Sequence, residues 1–331
     1  MKTRRALVSS VAAAGLIAGI GVGTGFAQPP KKQARIGFLN SSNLATTGHW
    51  IQALRDGLGE RGWVEGKNLS LDLRFAEGDA NRNAPLLNEL LARKPDVLVV
   101  GTDIVAKSAL AITRALPVVF ILGFDPVGLQ VVESLARPGG NVTGLSILVY
   151  ELTPKRFSLM RETLPRLARM GVLHNPGNPD ADKALAGLTD LARASGVSIA
   201  PGPVGKPEDA AQAFAELARA RAEAVLMIPD PVYTRFRGQL ANLAMKYRLP
   251  TMFGNQEYVE AGALMSYAAD LRAAYRHAAG HVDRVLKGAS PADLPVEQMN
   301  VYEFVVNLKT ARSIGVSLPQ TVLLQATKVI E

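Results

Sequence analysis

The chain has no cysteine in 331 residues. That excludes a disulfide framework, a thiol nucleophile, a zinc–thiolate centre and the lipid-anchoring cysteine of a lipoprotein leader. Histidine is nearly as scarce, at four residues, and no nucleophile–base pair or metal cluster is visible. His277 and His281 stand four apart, as metal ligands on a helix can. No carboxylate of the His-Glu-x-x-His kind accompanies them, so they read as a solvated helix face. Basic residues exceed acidic ones by 8 and aromatics make up 6%, but the Lys and Arg are spread along the chain, which argues against nucleic-acid binding. Phosphate and acyl-transfer loops are missing too. Gly66-Lys67 lacks the partner glycine and the Ser/Thr of a phosphate loop, and Gly144-Leu145-Ser146 lacks the second glycine of a nucleophile elbow. No catalytic residue, cofactor or metal is expected.

One long uncharged run is present, and it stands at the very start. Lys2, Arg4 and Arg5 precede the apolar, Gly/Ala-rich stretch Ala6–Gly23, and Gly25-Phe26-Ala27 places small residues at −3 and −1 before Gln28. This reads as a secretory signal over 1–27, cleaved after Ala27, with a linker over 28–34. The alternative, an uncleaved anchor, fits less well with so much glycine and so good a cleavage site. Thr3-Arg4-Arg5-Ala6-Leu7 suits the twin-arginine route, while Lys2–Arg5 serves the general route equally. The mature chain is then expected in the periplasm, with no stable membrane anchor.

What fills the remainder is a repetition. Six short apolar runs each stop at a small polar cluster. Arg35–Leu39 runs into Asn40, Ser41 and Ser42; Asp96–Gly101 into Thr102 and Asp103; Pro117–Leu122 into Asp125. A second set follows: Gly171–Leu173 into His174 and Asn175, Ala224–Ile228 into Asp230, and Pro250–Phe253 into Asn255, Gln256 and Glu257. Runs this short, rich in Val, Ile and Phe and separated by helix-length segments, are the strands of parallel sheets covered on both faces. Further strands are expected at Leu69–Phe75, Val142–Leu148, Val197–Ala200, Ala263–Ser266 and Phe304–Asn307. Helices are expected at Trp50–Arg61, Asn83–Arg93, Ile104–Arg114 and Val127–Ala136 in the first block. In the second they fall near Asp182–Ser195, Ala210–Ala220 and Thr234–Tyr247, with a long one at Leu271–Lys287. The fold class is therefore α/β, two doubly wound parallel-sheet lobes. Lobe 1 comprises 35–148 plus about 271–300, and lobe 2 comprises 149–270 plus about 301–331. The tail to Glu331 is long enough to cross back between the lobes, and several crossings make a hinge.

Local strings then become specific. Asp125-Pro126-Val127 is followed by Ser134-Leu135-Ala136-Arg137-Pro138-Gly139-Gly140-Asn141-Val142-Thr143-Gly144. Together with Gly62-Trp63, Glu65-Gly66-Lys67-Asn68, Leu264-Met265-Ser266-Tyr267 and Pro291-Ala292-Asp293-Leu294-Pro295, these resemble the solute-binding proteins of ABC transporters, in the family that includes tryptophan- and tyrosine-binding lipoproteins. The resemblance spans Arg35 to Glu331. It implies a type I periplasmic-binding-protein fold with a three-segment hinge. It also implies a small-molecule ligand, delivery to an ABC permease with a cytoplasmic ATPase, and no chemistry on the solute; a monomer is expected. Two positions depart from the family pattern: Thr102-Asp103 replaces a small apolar pair, and Ala268 replaces a glycine after Tyr267. A receptor serving a membrane sensor kinase remains an alternative, and an exported α/β enzyme a weaker one.

In doubly wound sheets ligands sit beyond the carboxyl ends of the strands. Ser41, Ser42, Thr102 and Asp103 stand where strands feed helices, either as helix caps or as partners of a ligand carboxylate. Asp125, Asp230 and Glu257 end strands and suit a ligand ammonium, though Asp125-Pro126 and Asp230-Pro231 equally suit turns. Asn255 belongs to the same cluster as Glu257. Tyr150 and Tyr267 fall at the first two crossovers, where each either stacks on a ligand or packs in the core. The ligand expected is an amino acid or a related amine or carboxylate.

Overall fold

The computed structural model describes residues 33–331. The expected leader, 1–27, and most of the linker after it lie outside the described residues.

Strand β1 (Ala34–Asn40) buries every residue but Arg35. It leads into α1 (Leu44–Gly59), which starts at an Asn43 cap and buries Trp50, Ile51, Leu54 and Leu58. Then come β2 (Leu69–Phe75), α2 (Asn83–Ala92), β3 (Val97–Thr102), α3 (Asp103–Leu110), β4 (Val118–Gly123) and β5 (Val142–Ser146). Alternation along these strands sends Ile36, Phe38, Val97, Val99, Val119 and Ile121 to one core. Leu39, Leu98, Val100, Val118 and Phe120 go to the other, which is why the strands read as unbroken apolar runs.

The helix expected at Val127–Ala136 does not form. Asp125 Oδ1 accepts from the Gly128 N–H at 2.9 Å, Gln130 sits at φ 57°, and the chain proceeds in consecutive turns. Val131 and Val132, adjacent in sequence, are both buried; turns achieve this where an amphipathic helix would not.

The second lobe runs α4 (Thr153–Thr163), β6 (Arg169–His174), α5 (Pro179–Ala194), β7 (Ser198–Pro203), α6 (Asp209–Arg219), β8 (Ala224–Met227), α7 (Arg237–Lys246), β9 (Thr251–Phe253), α8 (Gln256–Glu260) and β10 (Met265–Ala269). Helices α4 and α8 were not foreseen. The first is polar in composition and takes Arg156 into the core, while the second is a turn and a half. The chain then returns through α9 (Leu271–Leu286) and β11 (Glu297–Gln298), and crosses again to β12 (Tyr302–Asn307), α10 (Leu308–Ile314), α11 (Gln320–Leu323) and β13 (Lys328–Ile330).

The sheets are ordered β11-β5-β4-β3-β1-β2 and β13-β12-β10-β9-β8-β6-β7. The chain passes between them three times: after β5, after β10 and after β11. Among the described residues only the β10–β12 pairing is antiparallel. β11 runs parallel to β5 toward the strand carboxyl ends, so β12, entering a few residues later, must run back down. The tail does not cross back, because β13 pairs with β12 and stays in the second sheet.

Helices α1 and α9 approach closely at Gly57. A Cβ there would lie 2.5 Å from the Arg276 carbonyl oxygen and 2.9 Å from Ala279 Cβ. Overpacking of this kind costs about 1–3 kcal/mol, more than the roughly 1 kcal/mol alanine gains over glycine in a helix. Gly57→Ala is expected to lower the urea midpoint without changing the slope; a raised midpoint would show that the helices can part freely.

Further along α9, His277 is half exposed and lies 2.5 Å from Glu297. His281 is fully buried, its Nε2 3.1 Å from the Pro295 carbonyl. The expected solvated face thus holds for His277 alone, since the Pro291–Pro295 segment covers His281.

Candidate functional site

The carboxyl ends of both sheets carry polar side chains, and hydrogen bonding sorts them into supports and free groups. In the first lobe, Asn40 ends β1. Its Oδ1 accepts from the Ser42 N–H at 2.8 Å and its Nδ2 donates to Tyr275 Oη at 2.9 Å. The Ser41 and Ser42 carbonyls accept from Gly78 and Glu77 at 2.7 and 3.2 Å. Capping of α1 falls to Asn43, which accepts from Thr46 at 2.9 Å. The two serine hydroxyls, half-buried, are thereby left without a hydrogen bond among the described residues.

Thr102 is a helix cap, its hydroxyl 3.4 Å from the Val105 N–H. Asp103 departs from the ligand-contact expectation. It is fully buried, and its Oδ2 accepts from Phe124 and Asp125 at 2.7 and 2.8 Å while Oδ1 accepts from Ile104 at 3.0 Å. Burial pushes its carboxyl up, against those three N–H groups. All its acceptor strength goes to the backbone, so it fixes the loop that presents Asp125. Asp125 itself is exposed and capped onto Gly128.

In the second lobe a network forms at the mouth of β6 and β8. Asp230 Oδ2 accepts from Asn178 and Asn175 at 2.8 and 3.1 Å, and Oδ1 from the Val232 N–H at 3.0 Å. Asn178 also donates to Tyr150 Oη at 3.0 Å. Asp230 and Tyr150 are thus joined through one asparagine. Tyr267 stacks on Tyr302 with centroids 5.9 Å apart and meets the Phe304 edge at 6.4 Å.

Other groups are left free. Buried side-chain atoms without a partner among the described residues include His174 Nδ1, Asn255 Oδ1, Glu257 Oε2 and Ser266 Oγ. His174 is the last residue of β6, Asn255 and Glu257 follow β9, and Ser266 pairs in register with Phe253, the last residue of β9. Four orphans therefore collect toward one end of one sheet. An unpaired buried polar atom costs about 1–3 kcal/mol, and none of the four is compensated among the described residues. Burial pushes the Glu257 carboxyl up, and His49 on α1 of the first lobe, 3.5 Å away, opposes that.

The lobes meet around this region. Besides His49–Glu257, Arg235 Nη1 reaches the Gly78 carbonyl at 3.5 Å. Lys183 is raised chiefly by Asp180, with Asp125 of the opposite lobe adding to it. At the crossings, buried Arg156 donates through Nε to the Tyr267 carbonyl at 2.8 Å and through Nη1 to the Val149 carbonyl at 2.7 Å. Burial pulls its guanidinium down to about 10.

His49, Asn178, Arg156 and Ser266 were not singled out from the sequence. His49 was hidden because α1 begins six residues before Trp50, on the Asn43 cap. The available signal for Asn178 was its place four residues past the end of β6, just before Pro179 opens α5. Nothing in the pattern marked Arg156, which reads as an ordinary exposed basic residue of a polar helix.

Glu303 on β12 lies within electrostatic reach of Glu257 and Asp270. Burial foremost, then Asp270 and Glu257, pushes its carboxyl up from 4.5 to about 7. A raised acid binds its proton more tightly when folded, so stability present below pH 4.5 is lost as pH climbs toward 7. Glu303→Gln is expected to match the parent's Tm at low pH and exceed it above pH 7. Parallel Tm–pH curves for the two proteins would contradict this.

Two doubly wound lobes, three crossings and polar strand ends that meet define a type I periplasmic-binding-protein fold, the class of its structural neighbours. The chain belongs to the ABC transporter substrate binding protein family, whose model matches residues 46–330. It is thus a substrate-binding protein of an ABC transporter. A tyrosine-binding protein of Clostridioides difficile is 24% identical over 289 residues, 86% of this chain and 81% of that one. A conserved domain protein of Vibrio cholerae superposes with TM-score 0.81 at 28% identity, covering 90% of this chain and 100% of that chain. An ABC domain from Streptococcus pneumonia in complex with L-Trp superposes with TM-score 0.80 at 25% identity, with the same coverage.

Proposed function

We propose that this chain is a periplasmic receptor that closes its lobes on a small solute bearing an ammonium group, an amino acid or a close relative, and hands it to the permease. The moving bodies are 35–148 with about 271–300, and 149–270 with about 301–331. The observation that carries the ligand class is the pair of buried, unpartnered acceptors Asn255 Oδ1 and Glu257 Oε2. An ammonium has three donors and no acceptor, so it satisfies both and neutralises the carboxylate. A charge-assisted bond of this kind contributes about 1.5–3 kcal/mol. Across the cleft, the free hydroxyls of Ser41 and Ser42 suit the solute's carboxylate. Tyr150, held by Asn178, and the Tyr267–Tyr302 stack supply flat walls at the crossings. Asp230 acts through the two asparagines it orients, Thr102 and Asp103 shape their loops, and Asp125 meets Lys183 at the rim as the lobes close. Relatives described by tyrosine and by L-Trp agree with this class.

Closure is a shift between open and closed populations, favoured only by contacts that the closed form adds. His49–Glu257 and Arg235–Gly78 are two such contacts. The test is a thermal-shift panel on the mature chain with amino acids, polyols and sulfonates. A Tm rise confined to amino acids or amines is expected; a rise with polyols alone would overturn the reading. Sequencing the amino terminus of protein recovered from the periplasm checks cleavage after Ala27, with Gln28 expected first.

A further inference from the structure

Arg235 lies on the short 3-10 helix Pro231–Phe236, which Asp230 starts by accepting from the Val232 N–H. Tyr233 and Phe236 anchor that helix in the core, and Arg235 between them is exposed. Its guanidinium crosses to the first lobe and lies against Gly78, where a Cβ would fall 3.1 Å from Nε, Cζ and Nη1. One hydrogen bond, from Nη1 to the Gly78 carbonyl at 3.5 Å, is all that it makes among the described residues. No carboxylate among them lies within ion-pair distance of it. A guanidinium has five N–H donors, so most of these are unused.

The place it reaches bears on the solute. The Gly78 N–H donates to the Ser41 carbonyl at 2.7 Å and the Glu77 N–H to the Ser42 carbonyl at 3.2 Å, so the cation ends beside the serine pair. On its own lobe, the Thr234 side chain meets the Tyr258 phenol, and Tyr258 directly follows Glu257. Arg235 and Glu257 therefore stand on adjoining segments, and both face the first lobe, one toward Gly78 and the other toward His49.

From this juxtaposition we propose that Arg235 is a specificity-determining residue that reads the solute's carboxylate, turning from the Gly78 carbonyl to the anion. The assignment rests on the ammonium reading of Glu257 and narrows it. The solute is an α-amino acid, whose two charges sit on one carbon, and not a simple amine. A planar guanidinium offers a carboxylate two parallel N–H bonds, a stronger pairing than one long bond to a neutral carbonyl. The Ser41 and Ser42 hydroxyls supply further donors on the facing lobe.

The test is calorimetry on the mature chain with L-tyrosine beside tyramine and L-tryptophan beside tryptamine. Each amine keeps the ring and the ammonium but lacks the carboxylate. The ratio of affinities within a pair cancels whatever Arg235 adds to closure itself. In the parent the amino acid is expected to bind roughly tenfold or more tighter than its amine. Arg235→Gln is expected to bring that ratio to about one, and Arg235→Lys to recover part of it, since an ammonium lacks the fork. A ratio of about one in the parent, or a parental ratio in Arg235→Gln, overturns the assignment and leaves the Glu257 reading standing. A parent that binds no member of either pair overturns both.

Discussion

Replacing Arg156 with methionine is expected to destabilise the chain by about 3 kcal/mol, because two half-buried carbonyls lose their donors at about 1–3 kcal/mol each. The side chain is 1% exposed and no carboxylate lies within ion-pair distance of it among the described residues. Its Nε and Nη1 instead tie the Tyr267 carbonyl, on β10 just before the second crossing, to the Val149 carbonyl in the first. A desolvated guanidinium is itself costly, as its lowered pKa shows, and swapping buried charges for apolar groups is often neutral. Here the lost bonds win. The carbonyls belong to chain segments packed between the lobes, and methionine offers them nothing. Arg156→Lys should recover part of the loss, since one ammonium can reach one carbonyl but lacks the planar fork that spans two. Urea unfolding measures this directly. A change under about 0.5 kcal/mol, the scatter of ordinary surface substitutions, would show that the crossings do not need the tie.

Glu257→Gln should do the opposite: spare or raise the stability of the empty protein while removing most of its affinity for an amino acid. The substitution keeps shape and volume but takes away a buried carboxylate whose ionised form burial disfavours. Empty, the variant loses only the 3.5 Å approach to His49, an imidazole that is 44% exposed. Loaded, it loses a charge-assisted bond and presents an amide N–H₂ where an ammonium must sit. A loss of roughly 10- to 100-fold in affinity follows from about 1.5–3 kcal/mol. Calorimetry on parent and variant reads the affinity, and melting curves without solute read the stability. A lower Tm at unchanged affinity would make Glu257 a structural residue.

Much of the architecture was legible because burial on both faces writes itself into a strand. The expected Leu69–Phe75 matches β2, and the other runs fall within a few residues of the observed strands. Errors came where local polar chemistry overrode periodicity. Asp125-Pro126 and the left-handed Gln130 turned an expected helix into turns, and the geometry of the third crossing made β12 antiparallel. For the site, the sequence located the strand ends but could not say which polar groups were already spent. Asp103 and Glu257 look alike as acidic residues near strand ends. One gives its oxygens to three backbone N–H groups, while the other keeps an oxygen buried and unpaired. Only three-dimensional hydrogen bonding separates a support from a contact, and only packing could reveal that Arg156 points inward.

The central claim is that the orphaned acceptors at the lobe-2 strand ends hold an ammonium. Calorimetric titration of the parent with L-tyrosine and L-tryptophan, each beside the analogue lacking its amino group, addresses it most directly. Saturable binding of at least one amino acid is predicted, with its amino-free analogue weaker by tenfold or more. Equal binding of the two would place the grip elsewhere in the cleft and contradict the account.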